Sequence, residues 1–272
     1  MQTGTPRSRG SDALWRRRAG GNVAVSGADS NDAIDRGGIA FERLDVVVPV
    51  FNEAATLPAL LERLRAACPG AALIFVDNGS TDATCALLEA AGDVTLVRHA
   101  ENLGYGRSLR DGIAAGERPW IVQIDADLEY RPEDIPAVIA ELARFEAVYG
   151  SRFLGRSGPM PGMSALRRMG NRVVTGLFDR LYGQDLSDLY TGLRAFRREA
   201  LTAACHCEGF EYVFEVAARL VRGGGRIGEV AIGYDARETG ASKMRHVPEF
   251  LKFAYWLVRL RLERPPRRAA RG

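Results

Sequence analysis

The chain lacks any run of about 18 uncharged apolar residues, the length a helix needs to cross a bilayer. Cysteine and histidine are scarce, at 4 and 3 of 272 residues. Cys68, Cys85, Cys205 and Cys207 form no spaced framework, which excludes a disulfide scaffold and points to reduced thiols in a cytoplasm. Cys205-His206-Cys207 crowds its donors too closely to chelate one ion, and no second cluster completes a zinc site. The formal net charge of +3 is too small to mark a nucleic-acid binder. Residues 1–43 show no apolar periodicity and are rich in Gly, Ser, Arg and Asp, so they read as a disordered tail. No apolar stretch follows Arg16-Arg17-Arg18, so the basic run does not open a secretory signal.

What is present suits one globular α/β domain: 46% hydrophobic and 26% charged residues. Short apolar runs at 44–50, 73–76, 94–97, 120–124 and 147–150 read as strands. Residues 56–67, 82–91 and 108–115 carry helical spacing between them, and Pro132-Glu133-Asp134 opens a further helix. The alternation predicts a mostly parallel sheet with helices on both faces. Ligands of such sheets bind beyond the carboxyl ends of the strands, near a switch in strand order. Separate strands here end in acid: Asn52 and Glu53 follow the first, Asp77 the second, Asp125 and Asp127 the fourth.

In extended backbone, residues two apart point to one side. Asp125 and Asp127 therefore face one spot across Ala126, and two unpaired carboxylates there repel. A divalent cation removes the conflict, and hard oxygen ligands select Mg²⁺ or Mn²⁺, ions that keep positions open for substrate phosphates. Asp77-Asn78-Gly79-Ser80-Thr81-Asp82 places another acid between a strand and a helix, where it can accept from a base or ribose or serve a plain turn. Gly104-Tyr105-Gly106 looks like the start of a dinucleotide fingerprint, but Leu109 stands at the third glycine position, so a dehydrogenase is not indicated.

Taken together, these residues resemble a family-2 glycosyltransferase of GT-A fold, within it the polyprenyl- or dolichyl-phosphate mannose synthase group. The matches run in order from residue 44 to 245. They comprise Val48-Pro49-Val50-Phe51-Asn52-Glu53, Val76 through Asp82, Asn102-Leu103-Gly104, Asp125-Ala126-Asp127 and Pro132-Glu133-Asp134-Ile135. Gly150-Ser151-Arg152, Asp188-Leu189-Tyr190-Thr191-Gly192-Leu193-Arg194 and Arg237 through Lys243 complete the series.

The resemblance implies a Rossmann-like GT-A catalytic domain over residues 44–245 and an inverting, metal-dependent hexose transfer from a sugar nucleotide to a polyprenyl phosphate. GDP-mannose is the favoured donor and UDP-glucose the alternative. Pro49, Phe51, Glu53, Val76, Asp77 and Ala126 would line the nucleotide pocket; Phe51 stands where tyrosine is common. Asp125 and Asp127 would hold Mg²⁺ or Mn²⁺ with Glu129, which lies where many relatives carry Gln. Arg152, with Arg167 or Arg168, would meet the acceptor phosphate, and Arg237 and Lys243 would sit on a loop closing over both substrates. Asn171 stands where some relatives use a serine.

The chemistry asks for these types. Departure of a diphosphate needs its growing charge stabilised by a dication or by Arg and Lys. A phosphate acceptor is already anionic and needs cations more than a base. A hydroxyl acceptor would need a base, for which Glu211 and Glu215 are the candidates; a buried hydrogen-bonding role suits them equally. Asp188 and Arg194 are expected to form a structural ion pair. A non-catalytic nucleotide-binding scaffold docked on a membrane is the reading from another class.

A lipid acceptor requires a membrane surface. Leu166, Met169, Val173, Val174, Leu177 and Leu181 recur at helical spacing beside Arg167, Arg168 and Arg172, which fits a core-facing or an interfacial helix. Residues 246–272 are amphipathic and basic, with Phe250, Tyr255 and Trp256 and then Arg264, Arg267, Arg268 and Arg271. They read as a peripheral dock on the cytoplasmic face.

Overall fold

The computed structural model of the chain describes residues 40–156, 160, 162–201, 205–235, 255–256 and 258–263. All of them fall within one compact unit. Seven strands form one sheet: β1 (Leu44–Val50), β2 (Ala72–Asp77), β3 (Thr95–Arg98), β4 (Trp120–Gln123), β5 (Ala147–Ser151), β6 (Arg194–Arg197) and β7 (Ile227–Ala231). Their order across the sheet is β3-β2-β1-β4-β6-β5-β7. Only β6 runs antiparallel, pairing with β4 and β5 on its two sides.

Because β6 alone is reversed, the carboxyl ends of the other six strands share one rim, and the start of β6 returns to it. Strand order changes direction at β1 and β4, the crevice in which open α/β sheets bind ligands. The first five strands match the apolar runs read from sequence. β6 and β7 are additions, and they bring two further loops to the rim.

Among the described residues, helices α1 (Leu57–Ala67), α2 (Thr84–Ala91), α3 (Tyr105–Ala115), α4 (Ile135–Ala140), α5 (Ala165–Tyr182) and α6 (Tyr212–Arg222) cover the sheet. Alternation along β1 splits the core in two. Val46, Val48 and Val50 pack with Leu57, Leu60, Leu61 and Leu64 of α1 and Ile135, Val138 and Ile139 of α4. Val47 points to the other face, among Leu109 of α3, Phe178 of α5 and Phe214 of α6. Pro58 sits in the first turn of α1 and Pro136 in that of α4, where a missing N–H costs nothing.

Residues 40–43, assigned to the tail from sequence, belong to the domain. Phe41–Arg43 form a 3₁₀ turn, Phe41 packs on the core, and the Arg43 guanidinium lies 5.1 Å from the Trp120 ring centre. All four cysteines are free thiols. Asp45 is buried at the opposite end of β1 from the site, where Arg198 Nη2 donates to its carboxylate at 2.6 Å and the Arg118 amide at 3.0 Å.

α3 lies closer to the sheet than a helix with side chains at every position would permit. A Cβ on Gly112 would meet Val47 Cγ1 at 2.5 Å and Val76 Cγ2 at 2.9 Å, both on rigid strands. We therefore expect Gly112→Ala to destabilise the fold by about 1–3 kcal/mol through overpacking. A lowered urea midpoint at unchanged slope checks this.

Candidate active site

The rim is built by loops that hold one another. Asn52 adopts φ 55°, a left-handed conformation that Asn tolerates. That bend lets the Asn52 amide donate to Ser80 Oγ at 2.9 Å while its Oδ1 accepts from the Thr81 amide at 2.8 Å. The Glu53 amide donates to Thr84 Oγ1 at 2.9 Å. The loops after β1 and β2 are thus stitched together, and Asp77 is held within them, accepting from the Ser80 amide at 3.0 Å.

A second set of contacts ties the loop after β2 to that before α3. The Asn78 amide group donates to Asn102 Oδ1 at 3.0 Å, and its Oδ1 accepts from the Leu103 amide at 2.9 Å. His99 bridges Asn78 and Asp111 at 3.0 and 2.9 Å. The Asn102-Leu103-Gly104 motif is therefore the anchor of α3 on the rim.

Of the residues expected around a nucleotide, Pro49, Phe51 and Glu53 are part-exposed along or just after β1, and Asp77 ends β2 beside them. Val76 and Ala126 differ from expectation. Val76 is wholly buried against α3, and the Ala126 methyl lies in the core, so each offers a ligand its backbone alone.

Asp125 and Asp127 follow β4 at the switch in strand order. The Tyr105 hydroxyl donates to Asp125 Oδ1 at 2.8 Å, and Asp125 Oδ2 lies against Gly192. Leu128 takes φ 61°, an uncommon conformation for a bulky residue and one that clusters at working sites. That turn brings the Glu129 amide to Asp127 Oδ1 at 3.1 Å. Burial pushes the Asp125 carboxyl up to about 7, aided by the charges of Asp127 and Glu129 and opposed by Tyr105 and Arg194.

This crowding of negative charge fits a dication. Among the described residues no three acidic, His or Cys side chains stand close enough to hold one alone. That suits an ion gripped by one or two carboxylates and completed by substrate phosphates.

The other half of the rim is cationic and aromatic. Arg152 follows β5 and is buried. Its Nε and Nη2 donate to the two Asp188 oxygens at 2.7 and 2.9 Å, and Nη2 also to the Tyr190 carbonyl at 3.0 Å. The expected Asp188–Arg194 pair is therefore not formed: Asp188 belongs to Arg152. Asn171 of α5 donates to Asp188 Oδ1 at 2.8 Å, and Glu229 of β7 accepts from the Ser187 and Asp188 amides at 2.8 and 2.9 Å. The Arg152 guanidinium also lies 5.5, 5.5 and 5.8 Å from the ring centres of Tyr130, Phe153 and Tyr234.

Tyr234, three residues beyond Ala231, the strand partner of Ser151 on β7, was not indicated by the sequence because β7 itself was not. Its hydroxyl is buried without a hydrogen-bond partner among the described residues. It lies within electrostatic reach of Glu129, Arg152, Arg167 and Asp127, and so marks where acids and arginines meet. Arg167 and Arg168 occupy the first turn of α5, capped by Ser164, whose Oγ accepts from the Arg167 amide at 3.2 Å. Arg237 and Lys243 lie outside the described residues.

Glu215 is a structural group. Its Oε2 accepts from the His206 and Cys207 amides at 2.7 Å each, and Arg219 donates to its Oε1 at 2.9 Å. Burial raises its pKa, but these donors more than offset that and hold it below the usual carboxylate range. Glu211 precedes α6 and accepts from the Gly209 amide at 3.3 Å.

The chain is similar to known proteins in sequence and in fold. The family model described as "Glycosyl transferase family 2" matches residues 45–203. The undecaprenyl-phosphate 4-deoxy-4-formamido-L-arabinose transferase of Yersinia pestis (strain Pestoides F) is 30% identical over 212 residues, 74% of this chain. The match spans 62% of that relative's own length. The polyprenol monophosphomannose synthase of Mycolicibacterium smegmatis is 29% identical over 239 residues, covering 82% of this chain and 90% of that one. Glucosyl-3-phosphoglycerate synthase from Mycobacterium tuberculosis, solved with uridine diphosphate, has a TM-score of 0.63 at 20% identity over 88% of this chain and 86% of that one. The same synthase with Mn²⁺, uridine diphosphate and phosphoglyceric acid gives 0.64 at 21% identity, over 81% and 79%. These neighbours establish the GT-A fold.

Removing one partner of a buried ion pair strands the other's charge at a cost of about 3–5 kcal/mol. We expect that loss for Asp188→Leu, and recovery of much of it when Arg152→Met is added. Urea denaturation of the two variants decides whether Arg152 is held by this pair.

Proposed function

We propose that this chain, which belongs to glycosyl transferase family 2, transfers a hexose with inversion from a sugar nucleotide to a polyprenyl phosphate, with GDP-mannose as the donor. The observation that carries the reading is the meeting of two opposite charge sets beside Tyr234: the Arg152 guanidinium lies 5.8 Å from its ring centre, and the adjoining Asp235 amide donates to the Glu129 carbonyl of the acid turn at 3.1 Å. A donor diphosphate and an acceptor phosphate ask for that division. The names of the two relatives, one an undecaprenyl-phosphate transferase and one a polyprenol monophosphomannose synthase, agree with it.

In this reading Glu53 and Asp77 hold the nucleoside between the stitched loops. Asp125 and Asp127, with Glu129 beside them, hold Mg²⁺ or Mn²⁺ on the diphosphate. A dication bound there supplies positive charge to the departing nucleoside diphosphate. Arg167 and the Arg152 edge turned away from Asp188 orient the acceptor phosphate in line with the anomeric carbon. The acceptor is ionised already, so no general base is needed, consistent with the commitment of Glu215 to backbone amides.

A lipid surface is the second partner. Among the described residues no helix is long and apolar enough to cross a membrane. On α5, Leu166, Met169 and Val173 are 63%, 59% and 50% exposed, with the exposed Arg172 beside them. Their spacing places them on one helical face that leads to Arg167. Tyr255, Val258 and Leu262 repeat that spacing nearby in sequence to Leu260, which is buried in the core. Such a face with basic neighbours suits the headgroup boundary on the cytoplasmic side.

Incubation with polyprenyl phosphate, Mn²⁺ and either GDP-mannose or UDP-glucose, followed by lipid extraction, tests the donor and the acceptor together. We expect mannose in the lipid phase, and none with Asp127→Asn at an unchanged melting temperature. Glucose instead of mannose replaces the donor, transfer to a hydroxyl lipid replaces the acceptor, and wild-type transfer by Asp127→Asn removes the metal site. For the surface, Leu166→Glu with Met169→Glu is expected to lower flotation with anionic vesicles while turnover of detergent-dispersed acceptor persists.

A further inference from the structure

The proposed site has a charged support beneath it that neither the family match nor the motifs assign. Arg194 opens β6 with no exposed surface. In the register it stands opposite Gln123 of β4 and Tyr149 of β5, so the three side chains share one face of the sheet. Arg194 Nη2 donates to the Tyr105 hydroxyl at 2.9 Å, and that hydroxyl donates to Asp125 Oδ1 at 2.8 Å. The Tyr105 ring is fixed by stacking on Phe210, with centroids 5.0 Å apart and planes at 21°.

Among the described residues no carboxylate pairs directly with this buried charge. Arg194 Nε and Nη1 have no hydrogen-bond partner among the described residues, and neither do Tyr149 Oη and Gln123 Oε1 in the same row. Asp188, the acid six positions before it, is committed to Arg152. A guanidinium buried without its own carboxylate is costly, and an apolar side chain among Phe196, Tyr212 and Phe214 would pack without that cost. The acid that Arg194 does reach, through one hydroxyl, is Asp125.

We infer that Arg194, acting through Tyr105, is a positioning group for Asp125: it fixes the carboxylate from below and offsets its charge, so that the acid pair is set to receive a divalent cation. The inference rests on the metal role proposed above. Neither residue touches substrate; both act through Asp125. Hydrogen-bonded groups behind a metal ligand change metal affinity by about 10- to 100-fold when removed.

The test is Mn²⁺ binding to the full chain, followed by electron paramagnetic resonance in the presence of saturating GDP and, separately, UDP. Tyr105→Phe keeps the ring and removes only the hydroxyl. It is expected to weaken Mn²⁺ binding about 10- to 100-fold, with metal-free nucleotide affinity and melting temperature close to wild type. Arg194→Met is expected to weaken Mn²⁺ similarly, and the double variant to be no worse than the weaker single one, since both act on one carboxylate. Should Arg194→Met not fold, Tyr105→Phe decides alone. Wild-type Mn²⁺ affinity in Tyr105→Phe, where Asp127→Asn has lost binding, overturns the relay and leaves the metal site standing. Absence of Mn²⁺ binding by the wild type with both nucleotides overturns the metal site and the relay together. Equal loss of nucleotide affinity without metal in Tyr105→Phe also overturns the relay, because it marks a general disturbance of the rim.

Discussion

Repulsion among carboxylates at the end of β4 is the constraint around which the rim is arranged. Asp125, Asp127 and Glu129 lie within a single turn, and the left-handed Leu128 draws the last two together. Left to themselves, such groups protonate or move apart. The fold permits neither easily. Asp125 is pinned between the Tyr105 hydroxyl and Gly192, where an added methyl would overlap Oδ2 and lie 2.6 Å from the Tyr130 ring. Asp127 is tied into its own turn. Arg194 brings positive charge to Asp125 from below through Tyr105 and, under the proposed reaction, an ion would bring it from above.

The sheet's one reversed strand is what makes this possible. β6 enters the sheet from the rim, so its first residue can reach under the acids, while the loop before it carries Asp188 to Arg152 and Gly192 to Asp125. A sheet with parallel strands throughout would start β6 at the far edge, 4 residues away along the strand. The same reversal places β5 and β7 beyond β6, and with them Arg152 and Tyr234. The acidic half of the rim thus belongs to β2, β1 and β4, the cationic half to β5 and β7, and β6 lies between.

Much of the first half was legible from residues 44 to 150. β1 and β2 are short apolar runs rich in Val and Ile, and the polar Asn52 and Asp77 stand at or just beyond their ends, so both the strands and their rim positions follow from composition. β6 and β7 escaped notice for the converse reason. Arg194-Ala195-Phe196-Arg197 begins and ends with charge, and Ile227-Gly228-Glu229-Val230-Ala231 carries a glycine and a buried acid. Their polar residues face partners from distant segments, Tyr105 and Ser187 among them, and local pattern carries no record of those partners. The exchange of partners between Asp188 and Arg194 has the same origin. Six positions apart, they look suited to each other; tertiary placement gives Asp188 to Arg152 and leaves Arg194 to a tyrosine. Val76 and Ala126 show the limit of motifs in another way, since a motif position names a residue near a ligand without saying whether its side chain or its backbone faces it.

The two arginines are therefore buried on different terms. Arg152 has a carboxylate of its own, held in turn by Asn171, and with that neighbour engaged it keeps one edge for the aromatic ring of residues at Tyr130, Phe153 and Tyr234. Its charge is nearly balanced before any ligand arrives, so its contribution to an incoming phosphate is directional more than coulombic. Arg194 has no such partner, and its charge is spent through a neutral hydroxyl on an acid that two other acids repel. Balanced charge suits a group that must let its anion come and go with each turnover. Unbalanced charge suits one that must hold a carboxylate in place whether or not a cation is present. Under the proposed reaction, the difference in pairing fits the pair near β5 to the travelling substrate and the arginine of β6 to the permanent scaffold, a division that the motif positions, which place both residues in matching segments, do not make.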